Sequence, residues 1–443
     1  MTFGLPSRFA RLAPSLALAS FLLVTACATD PMRPPAPIET GQSRGDRGDD
    51  RPDRGDQGVE EEGLDGLHDD EGITPAEDVS DADNGYFTPD FMGQRDLFRI
   101  GVLLPFSHPN SGVRAEAEGM LAGIELALFD HAGENMLVLP KDTAGSQSQA
   151  IAMAEQVLEE GADVILGPLF GTNIEALNRE GLGSETQIIG FSNDSSVAGG
   201  NTWLASITPE QEVAALVSYA VSQGYRQFAY FGPQSDLGQR IETALQREAS
   251  RVGGRVAASG FYPESTQSPD SEARYIANAV NNAQQGGGKV AILIPERGTQ
   301  LRRVGPLLSY YGMSRNVQMM GLSGWDDQAI WREPSLRGGW FVAPSRDDVQ
   351  AFNTKFQRIY GRGPSSLAST AYDAAALVSQ LGADGEVTRD EIASRDGYLG
   401  VNGVFRFAPS GTTERRLSIY EVAGSQGAVE INKAAQTFDA GTS

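Results

Sequence analysis

Cysteine and histidine are scarce in this chain of 443 residues, which has one cysteine and three histidines. A single cysteine excludes a disulfide within the chain. The histidines, His68, His108 and His131, are too few and too scattered for a metal cluster. We therefore predict neither a metal site nor a cofactor.

Long apolar runs are absent after residue 27, and so are the short motifs of common enzymes. A membrane-spanning helix needs about 20 apolar residues, so the sequence predicts no transmembrane anchor. There is no Gly-x-Ser-x-Gly elbow, no His-Glu-x-x-His pair and no phosphate loop, since Gly286 to Lys289 leads into Val290 rather than Ser or Thr. Catalysis is the weakest of three functional hypotheses, and we predict a protein that is not an enzyme.

The N-terminus has the pattern of a cleaved signal peptide. Arg8 and Arg11 precede an apolar run from Leu12 to Val24, which is about half of a membrane span. The sequence Val24-Thr25-Ala26-Cys27 resembles a bacterial lipobox, which implies cleavage after residue 26 and acylation of Cys27. The alternative is an ordinary signal peptide beside a free thiol. Because Ala28, and not Asp, follows the cysteine, the resemblance favours the outer membrane, with the inner membrane left open.

Residues 28–96 form an acidic segment, with 20 Asp and Glu against six Arg and no Lys. This balance of −14 is more than half of the net charge of −23. Such a composition buries too little apolar surface to offset the entropy of ordering, so we predict a disordered tether over 27–96. A calcium loop is not indicated, because no Asp-x-Asp-x-Asp-Gly register with a closing Glu occurs. The acidic chain shows no basic patch, which argues against nucleic acid as a partner.

From Leu97 to about residue 425, short apolar runs alternate with longer amphipathic ones. Residues 98–105 and 163–167 are typical of buried strands, whereas 114–132 and 209–223 have helical spacing. Apolar strands between helices indicate parallel sheets covered on both faces, and about 330 residues exceed one core. We predict an α/β fold with two doubly wound, Rossmann-like lobes.

Open parallel sheets bind ligands at the loops that follow the carboxyl ends of their strands. This rule selects loops at 106–112, 168–172, 192–196, 233–238 and 323–327. Capping and turn roles are the alternative for several of these polar residues, Asp327 included. We expect Trp325 to line the cleft and Trp340 to lie in the core. The candidate cleft residues are Ser107, Phe170, Thr172, Ser192, Asn193, Asp236, Trp325 and Asp327.

Three segments together resemble the type I periplasmic-binding-protein fold: residues 100–106, residues 164–169 and residues 371–375, the last reading Ala-Tyr-Asp-Ala-Ala. The resemblance covers residues 97 to about 425 and implies two lobes joined by a hinge, closing on a small ligand. We accordingly predict a binding-protein-like domain over 97–430 and a disordered tail over 431–443. The first lobe is predicted at about 97–207 and 340–395, and the second at about 208–339 and 396–430.

Within that fold, the sequence is most similar to the lipoprotein activators of penicillin-binding proteins. Residues 206–212, Ser-Ile-Thr-Pro-Glu-Gln-Glu, resemble the activators' segment that enters the second lobe. Amino-acid receptors usually have a Phe-Arg pair there, whereas this chain has Leu204 and Ala205. Residues 306–311 resemble the activators' helix beside the edge of the second lobe. The long form of those activators also has a helical-repeat domain, and the acidic segment shows no such repeat.

Two functions therefore remain. The first, favoured by the resemblance and by the tether, is a lipoprotein on the periplasmic side of the outer membrane that activates a peptidoglycan synthase. It implies a bifunctional penicillin-binding protein as partner and membrane contact through the lipid alone. The second is a solute receptor that binds an amino acid or a similar metabolite in the cleft and feeds an importer.

Overall fold

The computed structural model describes residues 97–133, 135–266 and 268–438. The predicted signal peptide, the lipidation of Cys27 and the acidic tether lie outside these residues.

The described chain alternates strands and helices as the sequence predicts. The strands are β1 (Phe98–Leu104), β2 (Met136–Asp142), β3 (Val164–Leu166), β4 (Gln187–Gly190), β5 (Thr202–Leu204), β6 (Gln227–Pro233), β7 (Arg255–Tyr262), β8 (Val290–Leu293), β9 (Gln318–Gly321), β10 (Trp340–Ala343), β11 (Tyr398–Gly400), β12 (Gly403–Phe407), β13 (Thr413–Arg415), β14 (Ser418–Val422) and β15 (Ala428–Asn432). The helices are α1 (Ser111–His131), α2 (Gln147–Glu159), α3 (Gly171–Arg179), α4 (Pro209–Ser222), α5 (Asp236–Arg251), α6 (Asp270–Gln285), α7 (Gly298–Tyr310), α8 (Gln328–Trp331), α9 (Arg346–Tyr360), α10 (Ala368–Leu381) and α11 (Arg389–Ile392).

The strands form two large sheets and one small sheet. The first sheet has the order β2-β1-β3-β4-β5, and all of its strands are parallel. The second has the order β15-β14-β10-β9-β8-β6-β7, in which β14 pairs antiparallel with both of its neighbours and all other pairs are parallel. A small antiparallel sheet has the order β11-β12-β13. The predicted fold class, with two lobes built on parallel sheets, is confirmed.

In the first lobe, helices cover both faces of the first sheet. The α1 and α10 helices bury one face, and α2 and α3 bury the other. Small residues let α1 approach α10 closely, because a Cβ at Gly123 would lie 2.3 Å from the carbonyl oxygen of Ala368. The α9 helix joins this lobe through Phe352 and Phe356, which pack against α1.

In the second lobe, the second sheet is likewise buried on both faces, by α4 and α5 on one side and by α6 and α7 on the other. The two faces form separate apolar clusters, with Phe228 and Leu293 in one and Phe231 and Ile292 in the other. This division follows from the strand geometry, since successive side chains point to opposite faces.

The chain crosses between the lobes three times, and these crossings correct the predicted boundaries. The β10 strand pairs with β9, so residues 340–343 belong to the second lobe and not to the first. Phe405 and Phe407 of β12 pack in the core of the first lobe, so the chain from 398 to 415 does not belong to the second. An apolar strand can pack in either sheet, so the sequence pattern alone does not show to which lobe a strand belongs.

The predicted disordered tail is also wrong up to residue 438. The β15 strand extends to Asn432, and the backbone N–H of Ala434 donates to the hydroxyl of Ser418. The ring of Phe438 stacks on the guanidinium groups of Arg406 and Arg416. Residues 439–443 lie outside the described residues.

Two features are absent from the described residues. Among their helices, none is both long enough and apolar enough to cross a bilayer. The same residues contain no group of three or more His, Cys, Asp or Glu side chains placed to hold a metal ion.

Candidate functional site

A cleft of about 730 Å³ lies between the two lobes. Its volume is within the range of small-molecule sites, roughly 300 to 1,000 Å³. The first lobe supplies the loops after β3 and β4 and the N-terminal end of α10. The second lobe supplies Arg297 and Ser323. The lining residues are Leu169, Phe170, Gly171, Phe191, Ser192, Asn193, Ser206, Ile207, Arg297, Ser323, Pro344, Ser366, Leu367, Thr370 and Asn402.

The loop after β3 brings the start of α3 to the cleft. Gly167 has a φ of 110°, and a Cβ there would lie 2.3 Å from the carbonyl oxygen of Leu103, so glycine is required. The α3 helix then begins at Gly171 with no side-chain cap. The N–H groups of Gly171 and Thr172 donate to no described acceptor, as expected in the first turn of a helix. The partial positive charge of this end favours an anion.

Three of the eight predicted cleft residues line this cleft, namely Phe170, Ser192 and Asn193. Thr172 lies in the first turn of α3, but its side chain is exposed and is not part of the lining. Ser107 and Asp236 are exposed and lie outside the cleft. The backbone N–H of Ser107 donates to Asp142, and Asp236 is the first residue of α5.

Trp325 and Asp327 have structural roles, so the prediction that Trp325 lines the cleft is wrong. Trp325 is fully buried in the second lobe, and its indole N–H donates to the carbonyl of Ile294 at 3.1 Å. Its ring fills the space left by Gly321 and Gly339, where any Cβ would collide with it. Asp327 caps α8 by accepting the N–H of Ala329 at 2.7 Å. Trp340 is buried in the core, as expected.

Several lining residues had no signal in the sequence. Arg297 is the only charged residue in the lining, and it is exposed at the start of α7. Its guanidinium forms no ion pair with any described residue. Ser366, Thr370 and Asn402 come from distant segments that only the fold brings together. A lone cation among hydroxyl, amide and apolar groups suits an anionic ligand.

The buried carboxyl of Glu212 lies beside the cleft. Glu212 is in the first turn of α4 and accepts the N–H of Ser323, a lining residue, at 2.9 Å. Burial raises the pKa of this carboxyl to about 7, against the opposing effect of the hydrogen bond with Ser323. Its charge therefore changes near neutral pH.

Arg240 connects the lobes at the rim of the cleft. From α5 of the second lobe it donates to the carbonyl oxygen of Asn193, in the first lobe, at 3.0 Å. It also donates to Glu210 at 2.8 Å and lies 3.5 Å from Asp194. Although burial raises the pKa of Asp194, hydrogen bonds from Ser196 and the charge of Arg240 lower it below its usual value. Arg240 thus joins the two lobes next to Asn193, which lines the cleft.

A second buried network holds the side of the cleft formed by Asn402. The carboxylate of Asp373 on α10 accepts the N–H of Val401 at 2.6 Å and the side-chain amide of Asn402 at 3.2 Å. Arg415 donates to the same carboxylate at 3.0 Å. Asp373 lies within the Ala-Tyr-Asp-Ala-Ala segment, but the sequence gave no sign of its partner.

Comparison with known proteins gives one family and several distant relatives. The model of the periplasmic binding protein family matches residues 98–428. The penicillin-binding protein activator LpoA of Vibrio vulnificus is 27% identical over 121 residues, which is 26% of this chain and 20% of that protein. The match thus spans about a fifth of that relative's length.

Solved structures give the same fold. A putative branched-chain amino acid ABC transporter protein from Rhodospirillum rubrum has a TM-score of 0.64 at 19% identity, covering 76% of this chain and all of that one. The C-domain of LpoA from Haemophilus influenzae, described as a regulator of PBP1A, has a TM-score of 0.59 at 17% identity, covering 75% of this chain and 99% of that one. At such identities the likeness shows the fold alone. With the family match over nearly the whole described chain, this protein belongs to the periplasmic binding protein family.

Proposed function

We propose that this chain is a periplasmic lipoprotein that binds and activates a peptidoglycan synthase of the bifunctional penicillin-binding class. The observation that carries the proposal is the sequence similarity to the Vibrio vulnificus activator, which reaches 27% identity over 121 residues. The likeness to the Haemophilus influenzae C-domain, which covers 99% of that domain, is compatible with it.

The segment that enters the second lobe supports this choice over an amino-acid receptor. The chain crosses from β5 to α4 through residues 205–208, which overlap the stretch 206–212 that resembles the activators. Leu204 and Ala205 are buried where amino-acid receptors usually have a Phe-Arg pair. The arginine of that pair is therefore absent from this wall of the cleft.

Binding to purified synthases tests the proposal. The full chain is immobilised, and the bifunctional penicillin-binding proteins of the same organism are passed over it one at a time. We expect one of them to bind saturably with a Kd of about 1 μM or below, which corresponds to roughly −8 kcal/mol. Failure of every synthase to bind contradicts the proposal.

A second candidate, a receptor for a small anionic metabolite, is favoured by the cleft itself. Arg297 faces a volume of about 730 Å³ near the uncapped start of α3, an arrangement suited to a carboxylate. A ligand that binds only the native state raises stability by about 2.7 kcal/mol at 100 times its Kd. A thermal-shift screen of amino acids and other carboxylates tests this function. A shift in Tm with a free metabolite, together with no synthase binding, favours the receptor.

We place the protein on the periplasmic side of the outer membrane, held by a lipid on Cys27. The lipobox resemblance and the Ala that follows the cysteine support this placement. If residues 28–96 form the predicted tether, a flexible-coil estimate places the folded domain on the order of 45 Å from the membrane. That reach is compatible with a partner in the inner membrane.

A further inference from the structure

The α7 helix exposes two arginines and a tyrosine on its outer side. Arg302, Arg303 and Tyr310 are exposed, whereas Leu301, Val304 and Leu308 are buried against the second sheet. Arg303 and Tyr310 are seven residues apart, so they lie on the same face of the helix, two turns from each other. Tyr310 is 79% exposed, so most of its ring is available for contact.

The neighbouring helix α6 completes this surface. The guanidinium of Arg274 stacks over the ring of Tyr311, 4.9 Å from its centroid. Tyr310 meets Tyr311 edge to face, with 5.0 Å between the ring centroids. The hydroxyl of Tyr311 donates to Asp270 at 2.6 Å, which fixes the ring. We call Arg274, Arg302, Arg303, Tyr310 and Tyr311 the Arg–Tyr surface.

The Arg–Tyr surface is positively charged although the chain as a whole is acidic. It holds three arginines, Arg274, Arg302 and Arg303, alongside the carboxylate of Asp270, which the hydroxyl of Tyr311 engages, in a chain of net charge −23. Glu296, which precedes α7, accepts from the hydroxyl of Tyr262 and not from Arg302 or Arg303. Neither arginine forms an ion pair with any described carboxylate.

We propose that the Arg–Tyr surface is the docking site for an acidic surface of a partner protein. The inference rests on the proposed function, in which that partner is a bifunctional penicillin-binding protein. Unpaired cations in an otherwise acidic chain provide charge complementarity to an acidic patch and steer it to this face. Tyrosine and arginine are also the residues that most often carry binding energy at protein interfaces. Binding to an anionic membrane would require only positive charge on the protein. The two aromatic rings, held in a fixed arrangement, therefore favour a protein partner over a membrane.

Binding of the full chain to purified synthases tests the inference. The variant Arg303→Glu/Tyr310→Ala removes the exposed cation and ring without touching the buried face of α7. The matched control, Arg358→Glu, makes the same charge change at an exposed, unpaired position on α9 of the first lobe. Thermal unfolding followed by circular dichroism checks that both variants remain folded. Vesicles containing phosphatidylglycerol provide a purely anionic membrane surface.

We expect the double variant to raise the Kd for the synthase by about tenfold or more, and the control to change it by less than about threefold. Added salt should weaken binding of the unaltered chain more than binding of the double variant. If the unaltered chain and the double variant bind the synthase equally, the docking site is elsewhere and the proposed function stands. If no synthase binds the unaltered chain, both the function and the inference fail. Loss of vesicle binding in the double variant, with synthase binding unchanged, would make the occupant a membrane and overturn the inference.

Discussion

Arg415 and Asp373 form a buried ion pair in which the guanidinium lies 3.0 Å from the carboxylate and each side chain is about 1% exposed. The arginine also donates to the carbonyl of Gly403 and stacks on the ring of Phe405. The carboxylate in turn accepts the N–H groups of Val401 and Asn402. This pair ties α10 to the small sheet at the side of the cleft formed by Asn402.

Asp373→Ala should destabilise the protein by about 3 to 5 kcal/mol, because it leaves the charge of Arg415 buried without a partner. The control is Arg179→Ala, which removes an exposed pair with Glu175 and should cost less than about 1 kcal/mol. Urea unfolding of the full chain measures both. Equal losses in the two variants would show that the buried pair has no special role.

The stability of the protein should depend on the ionisation of Glu212. Burial raises the pKa of this carboxyl from 4.5 to about 7. Between pH 4.5 and pH 7 the carboxyl is therefore protonated in the folded state and ionised in the unfolded state. Stability from this group therefore falls as the pH rises from about 4.5 to 7, by roughly 3 kcal/mol at most.

Glu212→Gln should remove this part of the pH dependence and make the protein more stable than the unaltered chain at pH 7.5. Urea unfolding of both proteins at several pH values gives the difference between their free energies of unfolding. The contributions of all other titrating groups cancel in this difference. A difference that stays constant with pH would contradict the raised pKa of Glu212.

Arg240→Ala should loosen the loop that carries Asn193 and Asp194. Loss of the Arg240 contacts should lower the free energy of local opening by about 1 kcal/mol, which corresponds to about fivefold faster hydrogen exchange in residues 191–196. Arg247→Ala is the control, because Arg247 lies on the same helix but pairs with Glu248 within the second lobe. If both variants exchange at the same rate in this loop, Arg240 does not latch the lobes.

Cys27→Ala should release the protein from the membrane. Without the cysteine there is no thiol to carry a lipid, and the sequence after it contains no spanning run. Fractionation of cells should then find the variant in the soluble periplasmic fraction, whereas Cys27 protein stays with the outer membrane. A variant that remains acylated and membrane-bound would exclude Cys27 as the anchor.

Local patterns predicted the elements well but not their long-range partners. The strand over 163–167 and the helix over 209–223 are within two residues of β3 and α4, because both follow from apolar periodicity. The burial of Trp325 depends on Gly321 and Gly339 and could not be read from its own neighbours. Arg297 and Asn402 meet at one cleft only because β8 and the segment between β11 and β12 lie in different lobes that face each other. Phe170, Ser192 and Asn193 were predictable, since the loops after parallel strands converge.

Activation of a synthase is the most direct test of the proposed function. The rates of glycan polymerisation and peptide crosslinking by a purified bifunctional penicillin-binding protein are measured with and without the full chain. We predict that at least one rate rises, that the rise saturates with added protein, and that Arg303→Glu/Tyr310→Ala needs about tenfold more protein for the same effect. Unchanged rates at saturating concentrations, for every bifunctional synthase of the organism, would contradict the proposal that this chain is an activator.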